Sequence, residues 1–186
     1  MAIDDLIQDA SRRMHKSVEA AQAEFATLRT GRASTGLLDR VQIDYYGQKT
    51  PLKQLATVNS PEPRLITIQP FDPNSVSAIE RAIQESDLGL TPSNDGKLIR
   101  LPIPQLTEER RKELVKIVRQ MAEEGRVAVR NVRRDVMHHL KELVDKGEVG
   151  SDEEHRAEER VQKLTDEHTH TIDELLKKKE AEILEV

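Results

Sequence analysis

Three stretches of the chain repeat their hydrophobic residues every three or four positions, and the stretch between the first two of them does not. The first reads Ile3, Ile7, Ala10, Met14, Val18, Ala21, Phe25, Leu28, with no Pro or Gly inside it. A step of about 3.6 residues sets these side chains on one face of a helix roughly 40 Å long. A second helix is expected after Pro102 and Pro104, with Thr107 as N-cap and Glu108 and Glu109 in the first turn, where carboxylates favour the positive end of the dipole. Its stripe is Leu114, Val118, Met121, Ala128, Val132, Val136, Leu140, Leu143, and it runs to about Lys146, stopped by Gly147. Gly125 falls on the stripe, where a neighbouring backbone can come close. The third helix opens at Ser151, with Ser151 and Glu154 spaced as a capping box, and continues through Ala157, Val161, Leu164, Ile172, Leu175 and Ile183. The short turn holding Gly147 and Gly150 makes the second and third helices antiparallel neighbours.

Between Gly31 and Gln105 the pattern changes to short β-like runs, Val41–Tyr45, Leu52–Val58, Leu65–Ile68 and Lys97–Ile103, punctuated by Pro and Gly. One helix interrupts them, with Asp72 as N-cap, Pro73 at its first position, and Val76, Ile79, Ala82 and Ile83 on one face. A lone amphipathic helix has nowhere to bury its stripe, so the three long helices are expected to pack together. The expected fold is α+β: a long antiparallel three-helix bundle from residues 1–30 and 105–186, with a small inserted α/β domain from residues 31–104. Two chain crossings join them, Thr30, Gly31, Arg32, Ala33, Ser34 on one side and Pro102, Ile103, Pro104, Gln105 on the other. A double linker permits bending about one region and limits tumbling, which predicts a hinge.

Composition narrows the chemistry. Of 186 residues, 34% are charged and 2% aromatic, with 34 acidic against 29 basic side chains and a net charge of −5. Phe25, Tyr45, Tyr46 and Phe71 are too few to build base-stacking platforms. The absence of cysteine removes thiolate nucleophiles, disulfides and Cys-based metal sites. No 18-residue apolar run and no signal-like segment occur, so the expectation is a cytoplasmic protein with no membrane partner. Gly31 to Gly36 has the glycine spacing of a phosphate-binding loop, but Leu37 and Leu38 stand where Lys and Ser/Thr would touch phosphate and magnesium. His168 and His170 point to different sides of a helix, His168 on its apolar side, and acidic pairs such as Glu158 and Glu159 have no apolar cleft around them. No catalytic, cofactor or metal site is therefore expected.

The charge is unevenly spread. Residues 105–147 hold eleven basic and eight acidic residues, whereas residues 148–186 hold six and thirteen. On the second helix, at about 100° per residue, Lys112, Arg119, Arg126, Arg130 and Arg133 fall within an arc of about 60°, away from the apolar stripe. Guanidinium groups in such a row match the phosphates of a nucleic-acid backbone. The row equally suits ion pairing with the acidic third helix, or a protein partner in a structural or adaptor role. Periodicity and charge leave the three readings open.

Longer motifs go further. Leu28 to Ser34 (LRTGRAS), Tyr45-Tyr46-Gly47 followed by Thr50-Pro51-Leu52, Ser86 to Leu90 (SDLGL), Pro104 to Lys112 (PQLTEERRK) and Arg126 to Asp135 (RVAVRNVRRD) occur in one order along the chain. In these motifs the sequence resembles the ribosome recycling factor family over its whole length. The resemblance implies an L-shaped, tRNA-like outline and a protein without its own catalytic site or cofactor. It implies binding to the 70S-type ribosome after termination and, with elongation factor G and GTP, splitting into subunits with release of mRNA and tRNA, the GTP being hydrolysed by the partner. By the motif match Arg111, Arg130 and Arg133 are carried over as contacts to large-subunit rRNA, with Arg29 a fourth; Arg126, Arg119 and Lys112 are added from the helical projection alone. The two linkers correspond to the family's hinge, and the factor is expected to act as a monomer. No Arg- and Ser-rich presequence precedes Ile3, which suits a bacterial form.

Overall fold

The computed structural model describes residues 3–185. The chain divides into two compact units, residues 3–30 with 108–185, and residues 31–107. Met1, Ala2 and Val186, which the expected bundle includes, lie outside the described residues.

The first unit is built from α1 (Ile3–Ala26), α4 (Glu108–Asp145) and α5 (Ser151–Leu184). Each buries one stripe. In α1 it is Leu6, Ile7, Ala10, Met14, Val18, Ala21 and Phe25, while Leu28 lies beyond the helix end. In α4 it is Leu114, Val118, Ala122, Gly125, Val129, Val132, Val136 and Leu140. Ala122 and Val129 thus take places expected for Met121 and Ala128, which are half-buried, as is Leu143. The observed steps of four and three residues, the spacing of packed long helices, keep the seam on one face. In α5, Thr165 is buried and Leu164 and Leu175 are only half-buried. Burial of the Thr165 hydroxyl is compensated locally, since it donates to the Val161 carbonyl at 2.8 Å.

Side-chain pairings fix the helix directions. Arg119 meets Glu180, Arg126 meets Asp173 and Arg133 meets Gln162, so α4 and α5 run antiparallel. Arg13 bonds Asp135 at 2.7 Å and Arg160 bonds Asp4 at 2.8 Å, placing α1 antiparallel to α4 and parallel to α5. All three helices converge at Gly125, where a Cβ would stand 3.1 Å from Ala21 Cβ and 3.2 Å from Ile172 Cδ1. Gly147, at φ 73°, closes α4 with its amide on the Val144 carbonyl. The expected capping box at Ser151 does not form. Ser151 is already helical, and the N-cap is Gly150, which has no side chain to offer. The first turn of α5 instead carries Asp152, Glu153 and Glu154, whose charge favours its exposed amides.

The second unit pairs β1 (Gln42–Tyr45) with β2 (Gln48–Pro51) in a hairpin, and orders β3 (Ala56–Glu62), β4 (Leu65–Pro70), β6 (Ile99–Pro102) and β5 (Ser93–Asn94) as an antiparallel sheet β3-β4-β6-β5. Ile66 and Ile68 of β4 and Ile99 and Leu101 of β6 alternate inward and meet Ile79 and Ile83 of α3 (Val76–Glu85) in one core with Ile43 and Leu38. Asp72 caps the 3-10 turn Pro73–Ser75 that leads into α3, accepting from the Asn74 amide at 2.9 Å, and also accepts from the Tyr45 hydroxyl at 3.0 Å. That bond leads the causes that push the Tyr45 phenol above its ordinary value.

Two sequence expectations are corrected here. Leu52–Leu55 forms a single helical turn, α2, and extended structure starts only at Ala56. Turning the chain there buries Leu52 under the hairpin while Lys53 reaches Asp39 at 2.6 Å. Lys97 and Leu98 are not strand residues; their amides donate to Asp95 Oδ1 at 3.1 and 2.8 Å in the turn before β6. Tyr46 turns the hairpin at φ 49° and is 81% exposed.

Candidate nucleic-acid interface

The arginines of α4 occupy two different settings. At about 100° per residue, Arg119, Arg126 and Arg133 lie beside the buried seam on the side of α5, whereas Lys112 and Arg130 lie further round toward solvent. Arg126 is held most firmly. Its Nε and its terminal Nη2 both reach Asp173 Oδ1 at 2.7 Å, its Nη1 reaches Glu123 at 3.0 Å, and its side chain is 19% exposed. Burial alone would lower its pKa; the hydrogen bonds to Asp173 and Glu123 outweigh that and raise it. Arg119 Nε donates to Glu180 at 2.7 Å and Arg133 Nη1 to Gln162 at 3.4 Å. The acidic third helix thus supplies direct partners to part of the row, and for Arg119 and Arg126 intramolecular ion pairing is what the geometry contains.

Arg130 differs, because its acidic partner is Glu123 on its own helix, at 3.1 Å, and its side chain is 40% exposed. Lys112 pairs with Glu108 at 3.2 Å and is otherwise open to solvent. Arg111 sits half-buried in the first turn of α4, and its Nε is the buried side-chain nitrogen that has no hydrogen-bond partner among the described residues. Arg29 follows α1 and is exposed. Glu123 is the group that the sequence reading passed over. It accepts from both Arg126 and Arg130, and these guanidiniums, Arg126 foremost, hold its carboxyl below the usual range against the opposing effect of burial. The signal was present in sequence, because Glu123 stands three residues before Arg126 and seven before Arg130 on the same face.

The linker residues divide as well. Ala33 donates its amide to the Pro63 carbonyl at 2.6 Å, and Ser34 caps the 3-10 turn Thr35–Leu38 through its hydroxyl. Pro102 ends β6, and Ile103 donates to the Arg64 carbonyl at 2.9 Å. The turn between β3 and β4 therefore holds the chain at Ala33 and Ile103, and Thr30, Gly31, Arg32, Pro104 and Gln105 lie outward of those two bonds. Gly31 adopts φ 75°, and a Cβ there would fall 2.8 Å from Leu106 Cγ, so glycine is needed for both conformation and space. The stretch with phosphate-loop glycine spacing runs from this glycine into the 3-10 turn Thr35–Leu38, with Leu38 in the core.

Among the described residues no helix is long and apolar enough to cross a membrane, and no group of three or more His, Asp or Glu side chains is placed to hold a metal ion.

Comparison with known proteins agrees with this architecture. The family model described as Ribosome recycling factor matches residues 21–184. A ribosome-recycling factor of Rubrobacter xylanophilus is 58% identical over 180 residues, 97% of each chain. That of Carboxydothermus hydrogenoformans is 52% identical over 184 residues, 99% of this chain and all of the other. A solution structure of the ribosome recycling factor superposes with a TM-score of 0.77 at 46% identity, covering 100% of this chain and 99% of the other. A second structure is similar at a TM-score of 0.65 and 49% identity, covering 99% and 100%. It describes the Thermus thermophilus factor, with Escherichia coli elongation factor G, bound to the E. coli post-termination complex. With a two-unit fold, its motifs and full-length similarity all in agreement, the chain belongs to the ribosome recycling factor family.

Proposed function

We propose that this protein binds the post-termination 70S-type ribosome and, with elongation factor G and GTP, splits it into subunits and releases mRNA and tRNA. The observation that carries the reading is the similarity along essentially the whole chain to a relative described on that complex together with that factor. The helical unit, residues 3–30 with 108–185, is the part that grips large-subunit rRNA. The inserted unit, residues 31–107, is the part that elongation factor G moves about the linkers.

Arg130 and Arg133, with Arg111 and Arg29, meet rRNA phosphates. Binding by charge and backbone shape needs no base stacking, which suits a chain with 2% aromatic residues. Lys112 and Arg119 add long-range attraction from the rim of the same row, and Arg126 supports the row by fixing α4 to α5. GTP is hydrolysed by the partner, and the chain acts as a cytoplasmic monomer without a cofactor. Thr30 to Arg32 and Pro104 to Gln105 carry the bending, since the neighbouring Ala33 and Ile103 are bonded to the β3–β4 turn.

Sedimentation of post-termination ribosomes with the full chain, elongation factor G and GTP tests this reading. Subunits are expected only when both proteins and GTP are present, and Arg133→Ala is expected to weaken ribosome binding at physiological salt while the fold survives. Splitting that proceeds without this chain, or ribosome affinity unchanged in Arg133→Ala, would contradict it. Binding of the chain to a protein in the absence of ribosomal RNA would favour an adaptor role instead.

A further inference from the structure

Glu123 is an anion placed inside a row of cations. Its carboxylate bridges two guanidiniums, Oε2 to Arg126 at 3.0 Å and Oε1 to Arg130 at 3.1 Å. Arg126 does not depend on it, because Asp173 already takes both Nε and Nη2. Arg130 does, for Glu123 is its acidic partner. The two are seven residues apart, so the Arg130 side chain lies back along α4 toward the N-terminus, the direction in which helical side chains lean. Arg119 and Arg126 take anions from α5 beside the seam, whereas Arg130 takes one from the outer face, with Glu123 52% exposed. Carboxylate and phosphate oxygens fit the same guanidinium fork.

We propose that Glu123 is a built-in stand-in for an RNA phosphate: it holds Arg130 in the free protein and yields it when a phosphate arrives. This rests on the reading that Arg130 meets rRNA. The pair orders Arg130 before binding. It also opposes binding, because the pair must be broken and the carboxylate then faces the incoming phosphate. A factor that must leave the ribosome after each cycle gains a faster release in this way. Glu123 acts here as a positioning and tuning residue, through Arg130.

Affinity of the full chain for large ribosomal subunits, measured over a range of salt concentrations, tests the proposal. Glu123→Gln keeps the shape and removes the charge. Its dissociation constant is expected to fall about three- to tenfold, the size of one screened charge at close range. Its dissociation is expected to slow, and its plot of log affinity against log salt to steepen by about 0.9. In an Arg130→Ala background the same substitution should have a clearly smaller effect, because only the carboxylate's own repulsion of the phosphate is then left to remove. Unchanged or weaker binding by Glu123→Gln, with an unmoved salt slope, overturns the proposal. Should that variant be unstable by thermal melt, Glu123→Ala removes both the charge and the bond to Arg130, and tightening is required of it equally. If Arg130→Ala alone binds as wild type, the underlying reading of Arg130 fails. If it weakens binding while the Glu123 variants do not tighten it, only the present proposal fails.

Discussion

Replacing Arg126 by alanine separates a clamp from a grip. In the folded protein the guanidinium makes bonds at 2.7 Å to Asp173 and 3.0 Å to Glu123 and is 19% exposed, so its loss removes interhelical bonds and the packing of its stem in the α4–α5 seam. A fully exposed pair contributes about 0.2–1 kcal/mol, and a hydrogen bond to a charged group in a buried setting about 1.5–3 kcal/mol. Asp173 is 48% exposed and can regain water, so the loss belongs between those ranges, at about 1–2 kcal/mol. For a helical unit of this size that lowers the melting midpoint by about 4–8 °C. Arg130→Ala loses one pair on its own helix and is expected to cost under about 0.5 kcal/mol.

Urea titration followed by helical circular dichroism checks both variants, alongside ribosome binding at matched salt. The expected outcome is a crossed pattern: Arg126→Ala unstable but binding nearly as wild type under folding conditions, Arg130→Ala stable but binding weakly. Raising salt toward 1 M should shrink the stability loss, because the pair is partly reached by solvent. An Arg126→Ala protein that melts as wild type yet binds as poorly as Arg130→Ala would refute the assignment of Arg126 to the seam.

Other outcomes follow from single sites. Gly125→Leu should cost at least about 1–3 kcal/mol by overpacking, since a Cβ alone already stands 3.1 Å from Ala21 Cβ; an unchanged urea midpoint would contradict the three-helix contact there. Asp72→Ala removes the cap on Asn74 and the partner of Tyr45 and should destabilise the 31–107 unit by about 1–2 kcal/mol. Asp72→Asn should return the Tyr45 phenol toward its ordinary value, read by phenolate absorbance during alkaline titration. Amide bonds from Leu98 first and Lys97 next hold the Asp95 carboxyl below its ordinary value of 3.8. Its contribution is therefore complete above that value and lost as pH falls through the lower folded value, so the Lys97 and Leu98 amide resonances should shift only in that acid range.

The sequence by itself determined the long helices, because a stripe such as Ala10, Met14, Val18, Ala21 and Phe25 can be buried in only one backbone geometry. It also determined the 3-10 turn Pro73–Ser75 that leads into α3, where Asp72 and Pro73 carry their own local bonding and dihedral preference, although the α-helix itself begins only at Val76. Its motifs carried the family. What it left undecided depended on neighbours. β2, Gln48-Lys49-Thr50-Pro51, has no apolar alternation and is a strand only because β1 lies beside it. Whether Ala128 or Val129 entered the seam turned on where α1 and α5 crossed α4, and Gly150 rather than Ser151 became the cap because helical geometry began one residue earlier, at Ser151. The arginine row shows the same division most clearly. Its gathering on one side of α4 is read from spacing, but the bonds of Arg119 and Arg126 to α5, and of Arg130 to Glu123, required coordinates. A charge pattern fixes which face is basic; only packing decides which of its charges are already paired, because that depends on distances of a few ångströms between separate helices.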